Sequence, residues 1–332
     1  MIISKTPFRI SFFGGGTDYP QWYKEHGGVV LSTTIDKYCY ISCRYLPPFF
    51  DHKYRIVYSN IESVKDVEDI QHPSVKAVLG YMKCHKGLEI HHDGDLPARS
   101  GLGSSSSFTV GLLHTLFALK GRHISKDELA RQAIYIEQEI IGEHVGSQDQ
   151  VSAAFGGLNK IQFYREGNFS VEPIILPENR KQELEDHCML FYTGLQRNAP
   201  NVAKSKIDNI KHRQQDFFTM QQMALDALSI LQDVDVEIEA FGELLGEAWQ
   251  IKRTLSDKVT NPLIDNIYAT AKKAGAIGGK LIGAGGGGFL MLFVKPENHV
   301  AIRQVLSDLI YVPVKFEDSG TKIVLYQPNG LG

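Results

Sequence analysis

The chain has 332 residues, 43% of them hydrophobic and 22% charged, the balance of a folded globular protein long enough for two domains. Its 35 basic and 38 acidic residues leave a formal net charge of −3, which argues against a general nucleic-acid binder. No apolar run approaches the roughly 20 residues of a membrane-spanning helix. The opening MIISKTPFRISFF lacks the layout of a secretory leader, and Cys39, Cys43, Cys84 and Cys188 form no C-x-x-C pair. They read as buried free thiols in a cytoplasmic protein.

Residues 29–44 (VVLSTTIDKYCYISCR) are rich in β-branched and aromatic side chains and predict one or two strands; 54–59 (YRIVYS) predict another. Pro73 opens a predicted helix over SVKAVLGYMKC, since proline suits a first helical turn. LEIHH, residues 88–92, predicts a strand that leads directly into LPARSGLGSSSSFTVG, residues 96–111. Two helices follow, 107–119 with apolar residues at helical period and 125–141 opened by a capping box of Ser125 and Glu128. Residues 152–164 predict a helix end, a Gly-Gly turn and a strand, and 188–193 a short buried strand. Residues 201–273 read as helical, with breaks near Asp233 and at Asn261-Pro262. Strand character returns over 278–294 around a glycine run; a helix (300–309) and two strands (312–316, 322–327) close the chain. The order gives an α+β protein of two layered halves, 1–182 and 183–332, divided in the polar stretch 178–186.

By composition, 96–111 is a flexible Gly/Ser linker. Its neighbours argue otherwise, because a strand precedes it and an amphipathic helix begins inside it. Gly101 and Gly103 permit positive φ and close approach of a ligand to the backbone. The serines supply first-turn N–H groups that have no intrahelical partner. Amides, helix dipole and the hydroxyls of Ser104 to Ser107 converge on a site suited to a phosphate. Neither G-x-x-x-x-G-K-[ST] nor G-x-G-x-x-G fits the stretch, so the cradle is of another kind.

P-x-x-x-G-L-x-S-S, Pro97 to Ser105, resembles the phosphate-binding motif of the GHMP kinases. TPFRISFFGGGTDY (6–19) is similar to that family's first motif and GKLIGAGGGGFLMLFV (279–294) to its third, so the resemblance runs over nearly the whole chain. It implies the GHMP kinase fold, an N-terminal ribosomal-protein-S5-domain-2-like α/β domain followed by a C-terminal ferredoxin-like α+β domain. It implies ATP and Mg²⁺, with the nucleotide held by Pro97, Ser100, Gly101, Leu102, Gly103, Ser104, Ser105, Ser106 and Ser107. Ser105 matches the family's metal-binding serine and Glu137 its metal-binding carboxylate, with Glu139 as the alternative. Asp149 matches the aspartate beside the acceptor hydroxyl, a general base, and Arg9 the basic residue that keeps it ionised by charge pairing.

The same resemblance implies an acceptor site built from Gly16, Thr17, Asp18, Gly285 and Gly286, with Asp18 binding sugar hydroxyls. Galactokinases of the family carry Glu-His where this chain has Gly15 and Gly16, which counts against galactose. GGGTD, the GGVVLSTTID run and QDQ are most similar to the branch that phosphorylates heptose 7-phosphates at the anomeric hydroxyl, with fucose kinases as near relatives. Arg197 is the candidate for the sugar's own phosphate. The expected partner is a small sugar or sugar phosphate, with no nucleic acid and no membrane, and the chain a monomer or homodimer. Fucose, another hexose or mevalonate is the alternative acceptor. A non-catalytic sugar or nucleotide sensor is the rival class, and Arg9, Ser105, Glu137 and Asp149 argue against it. His91 and His92 point to opposite faces of a strand and are not read as a metal site. Trp22 and Tyr23 are read as packing, with one of them lining the sugar site as the alternative.

Overall fold

The computed structural model describes residues 1–98, 100–195 and 199–328. β1 (Ile2–Phe13) and β2 (Gly28–Tyr45) pair antiparallel along most of their length, with α1 (Pro20–His26) in the connection. β3 (Tyr54–Val57) and β4 (Ile61–Val64) form a hairpin, and α2 (Pro73–Tyr81) leads to β5 (Leu88–Gly94), which joins β2 on one side and runs parallel to β3 on the other. α3 (Ser104–Leu119), α4 (Lys126–Tyr135), a π turn over 136–140 and α5 (Gln148–Phe155) follow, α3 and α5 packing on β1 and β2. The hairpin of β6 (Asn159–Phe163) and β7 (Phe169–Pro173) pairs with the start of β2.

The second half runs α6 (Glu178–Asp186), β8 (Cys188–Tyr192), α7 (Ala199–Asn209), α8 (Gln214–Gln232), α9 (Glu239–Thr254), α10 (Pro262–Lys273), β9 (Ala276–Leu281), β10 (Phe289–Val294), α11 (His299–Val305) and β11 (Ile310–Val312). Its four strands form an antiparallel sheet in the order β11-β8-β10-β9, the ferredoxin-like order. β12 (Phe316–Glu317) and β13 (Lys322–Tyr326) then return to pair with β2 and β1, completing a nine-stranded sheet.

Several sequence expectations need correction. The chain's last strands belong to the first sheet, so 183–332 is not one contiguous layer. Residues 178–186, the polar stretch in which the division was expected, form α6; its Arg180 is buried and donates to the carbonyls of Ile230 and Val236 around the end of α8. The single strand expected over 312–316 divides between two sheets, with Pro313, which has no N–H for a ladder, at the break. The helix expected over 125–141 loosens into the π turn after Tyr135, while its Ser125 cap is present, the hydroxyl accepting from the Glu128 amide at 3.2 Å. β1, β4, β7 and α1 had no counterpart in the sequence reading.

The main hydrophobic core runs through both halves, with two smaller clusters beside it, one around Trp249 and Leu292 and one around Trp22 and Phe217. At its centre Phe241 of α9 meets Phe12 and Phe13 of β1 edge-on, with centroids 5.4 and 5.1 Å away, and lies 5.6 Å from Phe293 of β10. Trp22 and Tyr23 are buried, Trp22 stacking on Phe217 and Tyr23 on Phe163. All four cysteines are buried and unpaired. Among the described residues no helix is long and apolar enough to cross a membrane. Phe241→Ala is expected to lower stability by about 3–5 kcal/mol in a denaturation experiment, with unfolding still a single transition. A separate early transition of the second half would contradict the shared core.

Candidate active site

A cleft of about 650 Å³ is lined by β1, the 15–19 turn, the cradle, the segment before α5, and residues of α7, α9 and the β9–β10 loop. Between Pro7 and Phe8 the β1–β2 register slips past Asp36 and Lys37, and Arg9 follows at once. The Arg9 main chain donates to the Leu102 carbonyl at 3.0 Å. Its guanidinium holds both Asp149 oxygens, Nε to Oδ1 and Nη2 to Oδ2, each at 2.8 Å, while Nη1 donates to the Gly101 carbonyl at 2.6 Å. One buried arginine therefore ties β1, the cradle and α5 together.

The cradle ends at Gly103, the N-cap of α3, whose φ of +77° is left-handed. The tight turn needs that conformation, and glycine adopts it without steric cost. No side chain caps the helix, so its positive end faces the cleft with Ser104, Ser105 and Ser106. The Ser107 hydroxyl is turned the other way, donating to the Pro7 carbonyl at 2.9 Å and fixing α3 on β1.

Asp18 is almost fully buried, accepting from the Gly16 amide at 2.8 Å and the Gln148 amide at 3.2 Å. Burial raises its carboxyl above the ordinary value, the Asp149 charge adds to this, and the two amides oppose it. Gly146 lies directly beside it: an added Cβ would stand 1.9 Å from Asp18 Oδ2.

Glu137, on the π turn, is fully buried one layer behind the cradle. It accepts from the Ser106 hydroxyl at 2.8 Å and from the Gln150 amide group, while its Oε1 has no partner. Burial pushes its carboxyl up to about 7, against the lowering effect of the Ser106 hydrogen bond. Ser11, Ser100, Gln148 and Gln150 also carry buried polar atoms without partners. Mg²⁺ takes hard oxygen ligands, commonly one or two carboxylates with phosphate oxygens and water. The unpartnered Glu137 oxygen and the Ser105 and Ser106 hydroxyls are donors of that class, so the set fits such an ion. Glu139 is exposed, away from this position.

The implied residues thus divide. Arg9, Gly16, Asp18, Gly101, Gly103, Ser104, Ser105, Ser106 and Asp149 line the cleft. Thr17 does not: its hydroxyl is wholly buried, donating to the Gly14 and Val29 carbonyls, and so builds the turn. Pro97 is exposed, Leu102 packs in the core, and Ser100 presents its carbonyl to the Phe289 amide. Gly285 and Gly286 are not among the lining residues; the Gly286 amide donates to Val259, and Gly283 and Ala284 reach the cleft instead. Arg197 lies outside the described residues. Tyr19, rather than Trp22 or Tyr23, lines the cleft. His91 meets Glu89, and no cluster of three or more potential metal-ligating His, Cys, Asp or Glu residues occurs among the described residues.

The sequence reading missed Lys206, Lys252 and Lys280, all buried and all lining the cleft. The signal was present. Lys252 continues the apolar stripe of Phe241, Leu245 and Trp249 on α9, and Lys206 that of Val202 and Ala203 on α7. A lysine on an apolar stripe is directed inward.

Residues 72–157 match the N-terminal domain of the GHMP kinases and residues 236–309 their C-terminal domain. The D-glycero-alpha-D-manno-heptose 7-phosphate kinase of Campylobacter jejuni is 29% identical over 307 residues, 89% of this chain and 90% of that one. The bifunctional fucokinase/GDP-fucose pyrophosphorylase of Arabidopsis thaliana is 24% identical over 93% of this chain, which spans only 31% of that protein. The crystal structure of a D-glycero-D-manno-heptose 1-phosphate kinase from Bacteroides thetaiotaomicron has the same fold, with a TM-score of 0.79 at 24% identity over 97% of this chain and 98% of that one. Gly146→Ala should push the Asp18 carboxylate aside and lower kcat/KM for the acceptor by about 10²-fold, with KM for the nucleotide retained. Unchanged acceptor kinetics would remove Asp18 from the acceptor site.

Proposed function

The chain belongs to the GHMP kinases, carrying both domains of that family of ATP-dependent phosphotransferases, and from that premise we propose that it phosphorylates the anomeric hydroxyl of a heptose 7-phosphate. The product is the heptose 1,7-bisphosphate. The observation that carries this reading is the Arg9 clamp, which puts a candidate base and a phosphate cradle at one point of one cleft. The likeness to the Campylobacter jejuni heptose 7-phosphate kinase over nearly all of both chains supports the acceptor.

Phosphoryl transfer asks the protein mainly for positioning and for compensation of negative charge. The cradle amides and the helix dipole at Ser104 to Ser106 hold the nucleotide's phosphates. Asp18 accepts hydrogen bonds from sugar hydroxyls and orients the ring. Asp149 takes the proton of the anomeric hydroxyl as its oxygen bonds to the γ-phosphorus and the bond from that phosphorus to the β–γ bridging oxygen breaks, ADP leaving; Arg9 fixes both carboxylate oxygens, so the base meets the acceptor in one orientation. Glu137 with Ser105 and Ser106 would hold Mg²⁺, which when bound neutralises charge on the nucleotide's phosphates. An anomeric hydroxyl is more acidic than an ordinary alcohol, so a carboxylate is an adequate base for it.

The test is a panel of heptose 7-phosphate, free heptose, fucose, galactose and mevalonate with Mg-ATP, the product position read by phosphorus NMR. The expected outcome is preference for heptose 7-phosphate with the new phosphate on the anomeric carbon. Asp149→Asn should lower kcat by roughly 10²–10⁴-fold while ATP still binds. Phosphorylation elsewhere on the sugar, or more than about a tenth of the activity left in the variant, would overturn the mechanism. No turnover of any sugar would favour a sensor.

A further inference from the structure

Lysine is almost never fully buried without a compensating partner. Lys206 and Lys252 are each only 4% exposed and Lys280 6%, and all three reach the same cleft. Their local roles differ. Lys252 donates to the Leu281 carbonyl at 2.8 Å and to Gly283 at 2.7 Å, fastening the end of β9 and the start of the glycine loop. Lys280 reaches from β9 to the Phe12 carbonyl of β1 at 2.7 Å. Lys206 comes from α7, with its ammonium 5.4 Å above the ring of Tyr19, the residue after Asp18.

Lys206 and Lys280 are close enough to repel each other, and Lys280 also feels Arg9 and, in the opposite sense, Asp18. Burial first, then these two cations, bring the Lys280 ammonium down to about 7. The residues lining the cleft include four basic groups (Arg9, Lys206, Lys252, Lys280) and three carboxylates (Asp18, Glu143, Asp149), in a chain whose formal net charge is −3. Arg9 holds Asp149, Lys252 two loop carbonyls and Lys280 one carbonyl of β1, while Lys206 lies over the Tyr19 ring. A neutral sugar beside Asp18 and Tyr19 would do nothing to relieve the repulsion between Lys206 and Lys280. A dianion placed between them would convert that repulsion into two charge-assisted contacts.

We propose that Lys206 and Lys280 form a second anion subsite on the acceptor side of the cleft, which holds a phosphate already carried by the sugar and selects phosphorylated over free acceptors. The subsite is separate from the cradle at the head of α3, where the nucleotide's phosphates sit. The proposal rests on the sugar-kinase reading above and makes Lys206 a specificity-determining residue.

Steady-state rates of the full-length protein test it, with heptose 7-phosphate and free heptose as alternative acceptors. In Lys206→Met, KM for the sugar phosphate should rise at least about tenfold, the worth of one lost hydrogen bond to a charged group, and KM for ATP should stay within about twofold. The ratio of kcat/KM for phosphorylated over free heptose should collapse, and Lys206→Arg should restore most of it. That ratio is taken within one variant, so it does not depend on how much of the variant folds. A ratio equal to that of the native protein overturns the proposal, as does a rise in the ATP KM in place of the acceptor KM. If the native protein prefers a free sugar, the sugar-kinase reading stands and the subsite falls. If it turns over neither acceptor, calorimetric binding of heptose 7-phosphate without ATP still decides the subsite. Weakening of at least about tenfold in Lys206→Met supports it, and equal affinities refute it.

Discussion

The site depends on one buried guanidinium. Arg9 is always charged and presents its donors in a rigid planar fork. A charge taken out of water is costly unless partners satisfy it, and removing one partner leaves the other exposed to that cost. Here the fork is filled by two oxygens of Asp149 and the carbonyl of Gly101. The position of Asp149 and the shape of the cradle are therefore not independent features. Each is held at its place on β1 by the same side chain.

Around this clamp the cleft concentrates groups that cannot all be satisfied by protein alone. Burial suppresses the charged forms of Asp18, Glu137 and Lys280 alike, although their charges differ in sign. Glu137, Gln150, Gln148, Ser100 and Ser11 keep buried polar atoms unpartnered. Native proteins rarely leave such atoms without a functional reason, and these five lie at and around the cradle, others being scattered elsewhere in the fold. The shared aromatic core of Phe12, Phe13, Phe241 and Phe293 links the two halves, and the lysines of α7, α9 and β9 line one cleft with the 15–19 turn that follows β1.

Much of this was legible in the residues. The cradle announced itself because glycine conformation, helix start and serine hydroxyls act locally, within about ten residues. The helices of the second half and the ferredoxin-like sheet followed from periodicity and from the family resemblance. What escaped depends on distant partners. Thr17 adjoins Asp18 in sequence, yet its hydroxyl is taken by Gly14 and Val29, and nothing local gives that direction. The return of β12 and β13 to the first sheet is decided by which edge β1 and β2 leave open. Lys206 and Lys252 lay on helix faces that periodicity marks as inward, but a period gives only the face, and the cleft that makes an inward lysine useful is built by both halves.

The most direct measurement is steady-state kinetics of Arg9→Lys. Lysine keeps the charge but is a single point donor that cannot hold two carboxylate oxygens and the Gly101 carbonyl at once. If Arg9 couples base and cradle, kcat should fall by about 10²-fold and KM for ATP should rise with it, because both elements shift together. A fall in kcat with an unchanged ATP KM would mean that Asp149 and the cradle are positioned independently, and unchanged values of both would mean that the clamp has no part in the reaction.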